Sequence, residues 1–269
     1  TCSDREGFDV ELRVSREVRG ALAAGGAVVA LESTITSSLG LPAPHNRHCY
    51  ERVDNAIRAA GAVPALTGIL DGVLVAGVEP GEEERLLNAS VKLAERDLPV
   101  AVAQHLAARH PVAVVSAGAK AFLDLSKTLE VLETLGVPVV GYQTDDFPAF
   151  WSRSSGLPLQ HRAETPGEVA AMMRAARAIG WGGGLLIANP IPVASEIPSS
   201  EISAAIEKGL AAAAAVGARG PAATPAILAA IADATAARSI PANLALAESN
   251  AGLAAAIAVA AAKEEATTR

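Results

Sequence analysis

Residues 111–142, PVAVVSAGAKAFLDLSKTLEVLETLGVPVVGY, decide the fold. Pro111-Val-Ala-Val-Val-Ser116 is a short apolar run of the buried-strand type. Ala117-Gly-Ala-Lys120 then turns into a predicted helix, with Phe122, Leu125, Leu129 and Leu132 on one face at spacings of three and four. Gly136 stops this helix, Pro138 follows, and Val139-Val-Gly-Tyr142 begins a second strand. Strand, glycine turn, helix and strand make a βαβ unit, and folds built from such units place ligands beyond the carboxyl ends of their strands. Lys120 falls at that place, in or just before the first helical turn. There the helix dipole disfavours a cation and burial lowers an amine pKa, and both favour a nucleophilic lysine. The alternative on local pattern alone, and the commoner one, is a solvated lysine on a helix end.

Before this unit, Ala27–Leu31 reads as another buried strand, and Glu32 follows it directly in ALESTITSSLGLPAPHN. A carboxylate at a strand's carboxyl end with Ser33, Thr34 and Thr36 beside it suits acid/base chemistry; the same spacing also suits an acidic helix cap. Val14–Ala24 and Arg47–Ala60 read as helices, and Asp71-Gly72 between two apolar runs marks a hairpin. Lys92 is either a phosphate-binding cation or a surface lysine. Between Pro99 and Pro111 the connection is too short for an ordinary parallel crossover.

After the unit, residues 143–156, QTDDFPAFWSRSSG, form a hydroxyl-rich loop carrying Arg153, a candidate for substrate contacts or a subunit interface. Asp145-Asp146 alone is not a metal site, because adjacent carboxylates rarely point at one ion. Thr165 and Pro166 start a helix, and Asn189-Pro-Ile-Pro192 follows the strand Leu185–Ala188 on the functional edge. Asn243 and Asn250 open and punctuate the last helix; such an asparagine either caps the helix or reads an amide edge of a ligand.

Composition bounds the rest. The 51% hydrophobic and 19% charged content supplies a large core, built from Ala, Val, Leu and Ile because aromatics are only 3%. A formal charge of −7 argues against nucleic acid or an anionic membrane as the partner. Two cysteines without metal or scaffold spacing suit a reducing, cytoplasmic setting. No apolar run is read as reaching the ~20 residues of a membrane span, AGLAAAIAVAAA included. The expected fold class is α/β, a central β-sheet flanked by helices on both faces (an α/β/α sandwich), in a single domain over residues 1–269.

Taken together, ALESTI, LPAPHN, the Asp71-Gly72 turn, SAGAKAFLDLSKTLEVLETLGVPVVGYQTDDFPAFWSRSSG, GGGLLIANPIP and ANLALAESNAGLAAAIA resemble the pseudouridine-5′-phosphate glycosidase family, in the same order from first helix to last. The resemblance implies a homotrimeric α/β enzyme that splits pseudouridine 5′-phosphate into uracil and ribose 5-phosphate with a divalent metal, usually manganese (Mn2+). It makes Glu32 the general acid, Lys120 the covalent nucleophile, Lys92 a phosphate lysine and Asn243 an asparagine near the base. It also marks a departure. Several dozen residues of the family pattern, its metal and phosphate motif among them, are missing between Lys92 and Lys120, with the join near Gln104–His105. No metal ligand can therefore be named in this sequence. The reading expects the missing stretch to be present in the molecule as an untraced loop.

The implied chemistry suits these residue types. The base is joined to the sugar through carbon, so the two carboxylates of ordinary glycosidases would not suffice. An amine that forms an imine with C1′ opens another route, provided it is neutral when it attacks. An imine-forming sugar-phosphate aldolase or lyase is the first alternative, and a non-catalytic binding or assembly relative the second.

Overall fold

The computed structural model describes residues 12–38, 40–71, 73–88, 112–119, 123–215, 217, 230–231, 233–235 and 238–268. Lys92, the Gln104–His105 join and Lys120 lie outside the described residues.

The chain adopts the expected α/β class, parallel-rich sheets flanked by helices, with its strands divided between two four-stranded sheets. The first contains β1 (Leu12–Val14), β2 (Val28–Leu31), β3 (Val63–Leu70) and β4 (Val73–Ala76), in the order β1-β4-β3-β2. Strand β3 divides its pairing along its length. Val63–Leu66 lie beside β2 in parallel, and Thr67–Leu70 beside β4 in antiparallel register. Pro64, which has no N–H to donate, falls in the half with one partner only, where a proline is tolerated. The β3–β4 hairpin turns at Asp71, whose φ of 54° is the left-handed conformation an Asp-Gly turn requires, as expected. Helices α1 (Arg16–Ala23) and α2 (His45–Ala59) follow β1 and β2, and the short α3 (Glu83–Leu87) follows β4.

The second sheet contains β5 (Ala113–Ser116), β6 (Val139–Tyr142), β7 (His161–Ala163) and β8 (Leu185–Ala188), all parallel, in the order β5-β8-β6-β7. The two strands of the opening βαβ unit are thus separated by β8. Helix α4 (Leu125–Thr134) joins them and ends as expected at Gly136, whose φ of +69° lets Val137 N–H reach back to Leu132 C=O. Its start differs from the expectation. Asp124 caps it by accepting the Lys127 N–H at 3.0 Å, and Ala117–Gly118 is not helical, Gly118 taking a φ of +74°. The reason is a long-range contact: Gly118 bridges to Ala149, and Ala117 C=O accepts the Phe150 N–H at 3.0 Å. A Cβ on Gly118 would sit 1.9 Å from the Pro148 carbonyl oxygen, so only glycine permits this approach. The described helix begins at Leu125, five positions after Lys120. Helix α5 (Pro166–Ala178) begins as expected, with Thr165 Oγ1 accepting the Glu168 N–H and proline at its first position.

Among the described residues, the long helices α6 (Ser199–Ala215) and α7 (Ser239–Thr268) follow. At 3.6 residues per turn, Ala247, Ala251 and Ala255 run along one side of α7, while Ala242, Leu246, Leu253 and Ile257 run along the opposite side. The alanine side packs on Val29, Leu31, Cys49, Val53 and Ile57 from the first sheet and α2. The other side packs first on Trp151, Ile191 and Ile202, then on Val140, Val169 and Ile187 of the second sheet and α5. The expectation about membrane spans needs correction here. By length and composition, Ser239–Lys263 is apolar enough to cross a membrane. It is apolar on both sides because it is built into cores on both sides.

Two outcomes follow from this packing. Ala255 is fully buried against α2, so Ala255→Leu should destabilise the chain by about 1–3 kcal/mol through overpacking. Denaturant unfolding measures it, and an unchanged midpoint would mean that α7 can move away from α2. Burial also pushes the Cys49 thiol up to about 11. The unfolded thiol ionises near pH 8.5 while the folded one stays protonated, so stability should fall by roughly 3 kcal/mol as pH rises from about 8.5 to 11. Cys49→Ala should lack this decline, and an identical decline in the variant would refute the assignment.

Candidate active site

The strands β2, β5, β6 and β8 deliver their carboxyl ends to α7 and to the loop 143–156. From β8, Asn189 is nearly buried; its backbone N–H donates to Ser116 C=O at 2.8 Å and so ties the ends of β8 and β5 together. Its side-chain amide donates to Ser249 Oγ at 3.1 Å and to Asn250 Oδ1 at 2.9 Å on α7. From β6, Tyr142 and Gln143 continue past the strand end. Gln143 takes a φ of 54° and its amide donates to Glu164 C=O at 2.9 Å. Partial burial, followed by the charges of Glu164 and Glu168, raises the Tyr142 phenol above its ordinary pKa. Tyr142, Gln143, Arg153, Asn189 and Ser249 line a cavity of about 380 Å³ at this edge, closed by Pro166, Pro190, Leu253 and Ala256. A second cavity, of about 370 Å³, lies at the other end of the sheet, where Val139 and His161 begin β6 and β7.

The loop 149–153 laces the edge together. Trp151 is buried, stacks edge-on against Phe150 at 4.9 Å, and exchanges backbone contact with Ile197, whose N–H it accepts at 2.9 Å. Ser152 Oγ donates to Ile197 C=O at 2.8 Å, Arg153 N–H to Glu196 Oε1 at 2.9 Å, and Arg153 Nη1 to Ile191 C=O at 2.5 Å. These bonds hold the segments following β6 and β8 against each other. The Phe150–Ala117 and Gly118–Ala149 contacts add the segment following β5.

Glu32 sits at the end of β2, exposed, with Oε1 accepting the Thr34 N–H at 2.9 Å. Of the hydroxyl neighbours read from the sequence, Thr36 turns elsewhere and donates to Ser33 C=O, while Ser37 beyond it donates to Thr34 C=O. Asn243 is inside α7, five residues from its start, and does not cap it; its Oδ1 accepts the Trp151 indole N–H at 2.7 Å. Its carbonyl end is thus committed to holding the loop, and Asn250 likewise serves Asn189 within the helix. Lys92 and Lys120 have no described position, although the chain reaches Lys120 two residues after the pinned Gly118. Sequence reading noticed Asn189 and the loop with Gln143 and Arg153 at this edge but missed Tyr142 and Ser249. The only local signal for Ser249 was a polar interruption in an alanine-rich run.

The residues that hold no metal are equally informative about what the described part of the site offers. Asp145 pairs with Arg162 at 2.7 Å, and Asp146 accepts the Ser154 hydroxyl at 2.6 Å. Among the described residues, no three His, Cys, Asp or Glu side chains group to hold an ion. They do not fit the implied manganese.

Comparison with known proteins agrees with this arrangement. The model of the indigoidine synthase A like protein family matches residues 17–109 and 104–260. A pseudouridine-5′-phosphate glycosidase of Methylobacterium nodulans is 44% identical over 291 aligned positions, covering 91% of this chain and 86% of the relative. That of Solibacter usitatus is 40% identical, covering 93% and 99%. In three dimensions the chain is similar to the prealnumycin C-glycosynthase AlnA, solved in complex with ribulose 5-phosphate. The TM-score is 0.83 at 29% identity, over 96% of this chain and 99% of that one. An indigoidine synthase A-like protein of Thermotoga maritima superposes with a TM-score of 0.78 at 28% identity and the same coverage. The 291 aligned positions exceed the 269 residues of the whole chain; with 91% of it aligned, about 46 positions of the alignment have no counterpart here. The family model breaks at residues 104–109, where the join was expected. The stretch is not an untraced loop, since it is absent from the 269-residue sequence itself. With this internal stretch missing, the chain belongs to the indigoidine synthase A like family, the family of the pseudouridine-5′-phosphate glycosidases to which it is 40–44% identical.

Proposed function

We propose that this chain cleaves the carbon–carbon glycosidic bond of pseudouridine 5′-phosphate, consuming one water and releasing uracil and ribose 5-phosphate. The observation that carries the reading is the 44% identity to a pseudouridine-5′-phosphate glycosidase across 91% of the chain. The complex of AlnA with a pentulose phosphate supports a sugar-phosphate ligand. We assign Glu32 as the acid that protonates the ribose ring oxygen. Lys120, neutral when it attacks, forms a C1′–N bond as the C1′ bond to the protonated ring oxygen breaks; the bond from C1′ to the uracil carbon then breaks as that carbon takes up a proton and the nitrogen lone pair forms the imine, which water hydrolyses. Lys92 takes a charge-assisted hydrogen bond to the phosphate, and Asn243 supports the base side of the site through the Trp151 loop. Bound manganese would act as a Lewis acid toward oxygen ligands, but no step here is routed through it. A homotrimer in the cytoplasm belongs to the same proposal.

The missing stretch favours a second reading, a relative that kept the fold and lost the reaction. Uracil release from pseudouridine 5′-phosphate by the purified chain separates the two. A borohydride-trapped sugar adduct without uracil release would instead indicate another imine-forming sugar-phosphate enzyme.

Lys120→Ala should abolish uracil release and leave the unfolding midpoint unchanged. Borohydride with ribose 5-phosphate should mark the peptide containing Lys120, and an adduct on another lysine would refute the nucleophile assignment. Glu32→Gln should lower turnover by about 10²- to 10⁴-fold with substrate binding retained. A loss below roughly tenfold would leave Glu32 only its bond to the Thr34 N–H.

A further inference from the structure

The bond between Trp151 and Asn243 carries a further assignment, which rests on the reading above that Asn243 serves the base side of the site. A side-chain amide has an oxygen that accepts and a nitrogen that donates, and a partner of fixed polarity decides which end faces it. Trp151 is such a partner. Its indole N–H can only donate and lies 2.7 Å from Asn243 Oδ1, so the oxygen faces the tryptophan and Nδ2 faces away. The reverse orientation would set donor against donor and leave the indole N–H without an acceptor.

The tryptophan is itself fixed. It is 1% exposed, in one apolar cluster with Ile191, Ile197 and Leu246, and its carbonyl accepts the Ile197 N–H at 2.9 Å. Phe150, just before it, holds a φ of 64°, a left-handed conformation that persists in a non-glycine residue only where the surroundings impose it. Asn243 is carried by α7 between the buried Ala242 and Leu246. Two rigid elements thus set the amide. Among the described residues nothing accepts from Nδ2, so both of its hydrogens are left for a ligand.

A uracil ring offers carbonyl oxygens and ring N–H groups. A freely turning amide reads either, and a locked one reads only the group its outward end complements. We propose that Trp151 is a positioning residue for the base: it holds Asn243 with Nδ2 outward, so that the base is taken by a carbonyl oxygen and not by a ring N–H. The same donor suits the reaction, because the uracil carbon receives the electron pair of the breaking bond, and an N–H at a neighbouring carbonyl stabilises the charge that develops there.

The test uses the full chain and its Trp151→Phe, Asn243→Asp and Asn243→Ala variants. Calorimetry measures uracil, 2-thiouracil and 4-thiouracil, and thermal unfolding is followed alongside. Sulfur is the weaker acceptor, so one of the two thio compounds should bind the wild type roughly 2- to 10-fold more weakly than uracil. That difference should vanish in Asn243→Ala and shrink in Trp151→Phe. Asn243→Asp keeps the oxygen that accepts the indole N–H and replaces the outward donors by an acceptor. It should keep the melting midpoint and raise Kd for uracil by roughly 10- to 100-fold. Uracil binding in Asn243→Asp as tight as in the wild type, or tighter, would overturn the proposal, since an acceptor would then read a ring N–H. So would wild-type thio discrimination in Trp151→Phe, or no binding of uracil by the wild type. If the wild type shows the expected pattern and releases no uracil from pseudouridine 5′-phosphate, the Trp151 assignment stands and the cleavage reading fails. If it cleaves that substrate but binds both thio compounds as it binds uracil, the Trp151 assignment alone fails.

Discussion

Everything in this molecule depends on a helix with two apolar sides being held between two sheets. On one side α7 presents Ala247, Ala251 and Ala255 to the first core, and on the other Leu246, Leu253 and Ile257 to the second and third. The small residues let α2 approach closely, while the large ones fill the wider space over β6 and β8. The polar residues in the middle of this helix each have a partner. Glu248 is held by Arg52 at 2.7 Å, and Ser249 and Asn250 by Asn189. The interruptions in the apolar run are thus the points at which α7 grips its neighbours.

The functional edge inherits its order from that grip. Asn189 joins β8 to α7 and to β5, Asn243 joins α7 to Trp151, and the loop around Trp151 reaches the residues that follow β5 and β8. Such lacing fixes the backbone near the site through bonds between segments far apart in the chain, which is what preorganisation of a site requires. It gives the tight approach at Gly118 a purpose: a side chain there would push the loop away from the strand end.

The sequence was legible wherever the deciding chemistry is local. The Asp71-Gly72 turn, the Thr165–Pro166 helix start and the Gly136 stop all rest on dihedral preferences or caps within a few residues. It misled where the decision is made at a distance. The helix expected to open around Lys120 is described from Leu125, and Ala149 and Phe150 claim Ala117 and Gly118 as long-range partners. Asn243 read as a cap or a ligand contact because its partner Trp151 is 92 residues away. The final helix, read as opening at Asn243, begins at Ser239, and Glu248, Ser249 and Asn250, which interrupt its apolar composition, each have a partner in the fold. In the site, Glu32 and Asn189 were legible from their places after strands. Ser249 was not, because its role depends on which side of α7 meets β8.

The position of α7 at the end of the chain sets the order in which the protein can be made. The first sheet and α2 are complete by residue 76, yet Val29, Val53 and Ile57 are covered by alanines that emerge from the ribosome some 170 residues later. Until then the amino-terminal half carries an open apolar face through most of synthesis, a state prone to association and to chaperone capture. Closure over such sequence separation makes folding slow relative to a fold of local contacts. The last helix therefore acts as a keystone whose arrival closes both halves together, and premature termination before residue 242 would leave every core in the molecule unfinished.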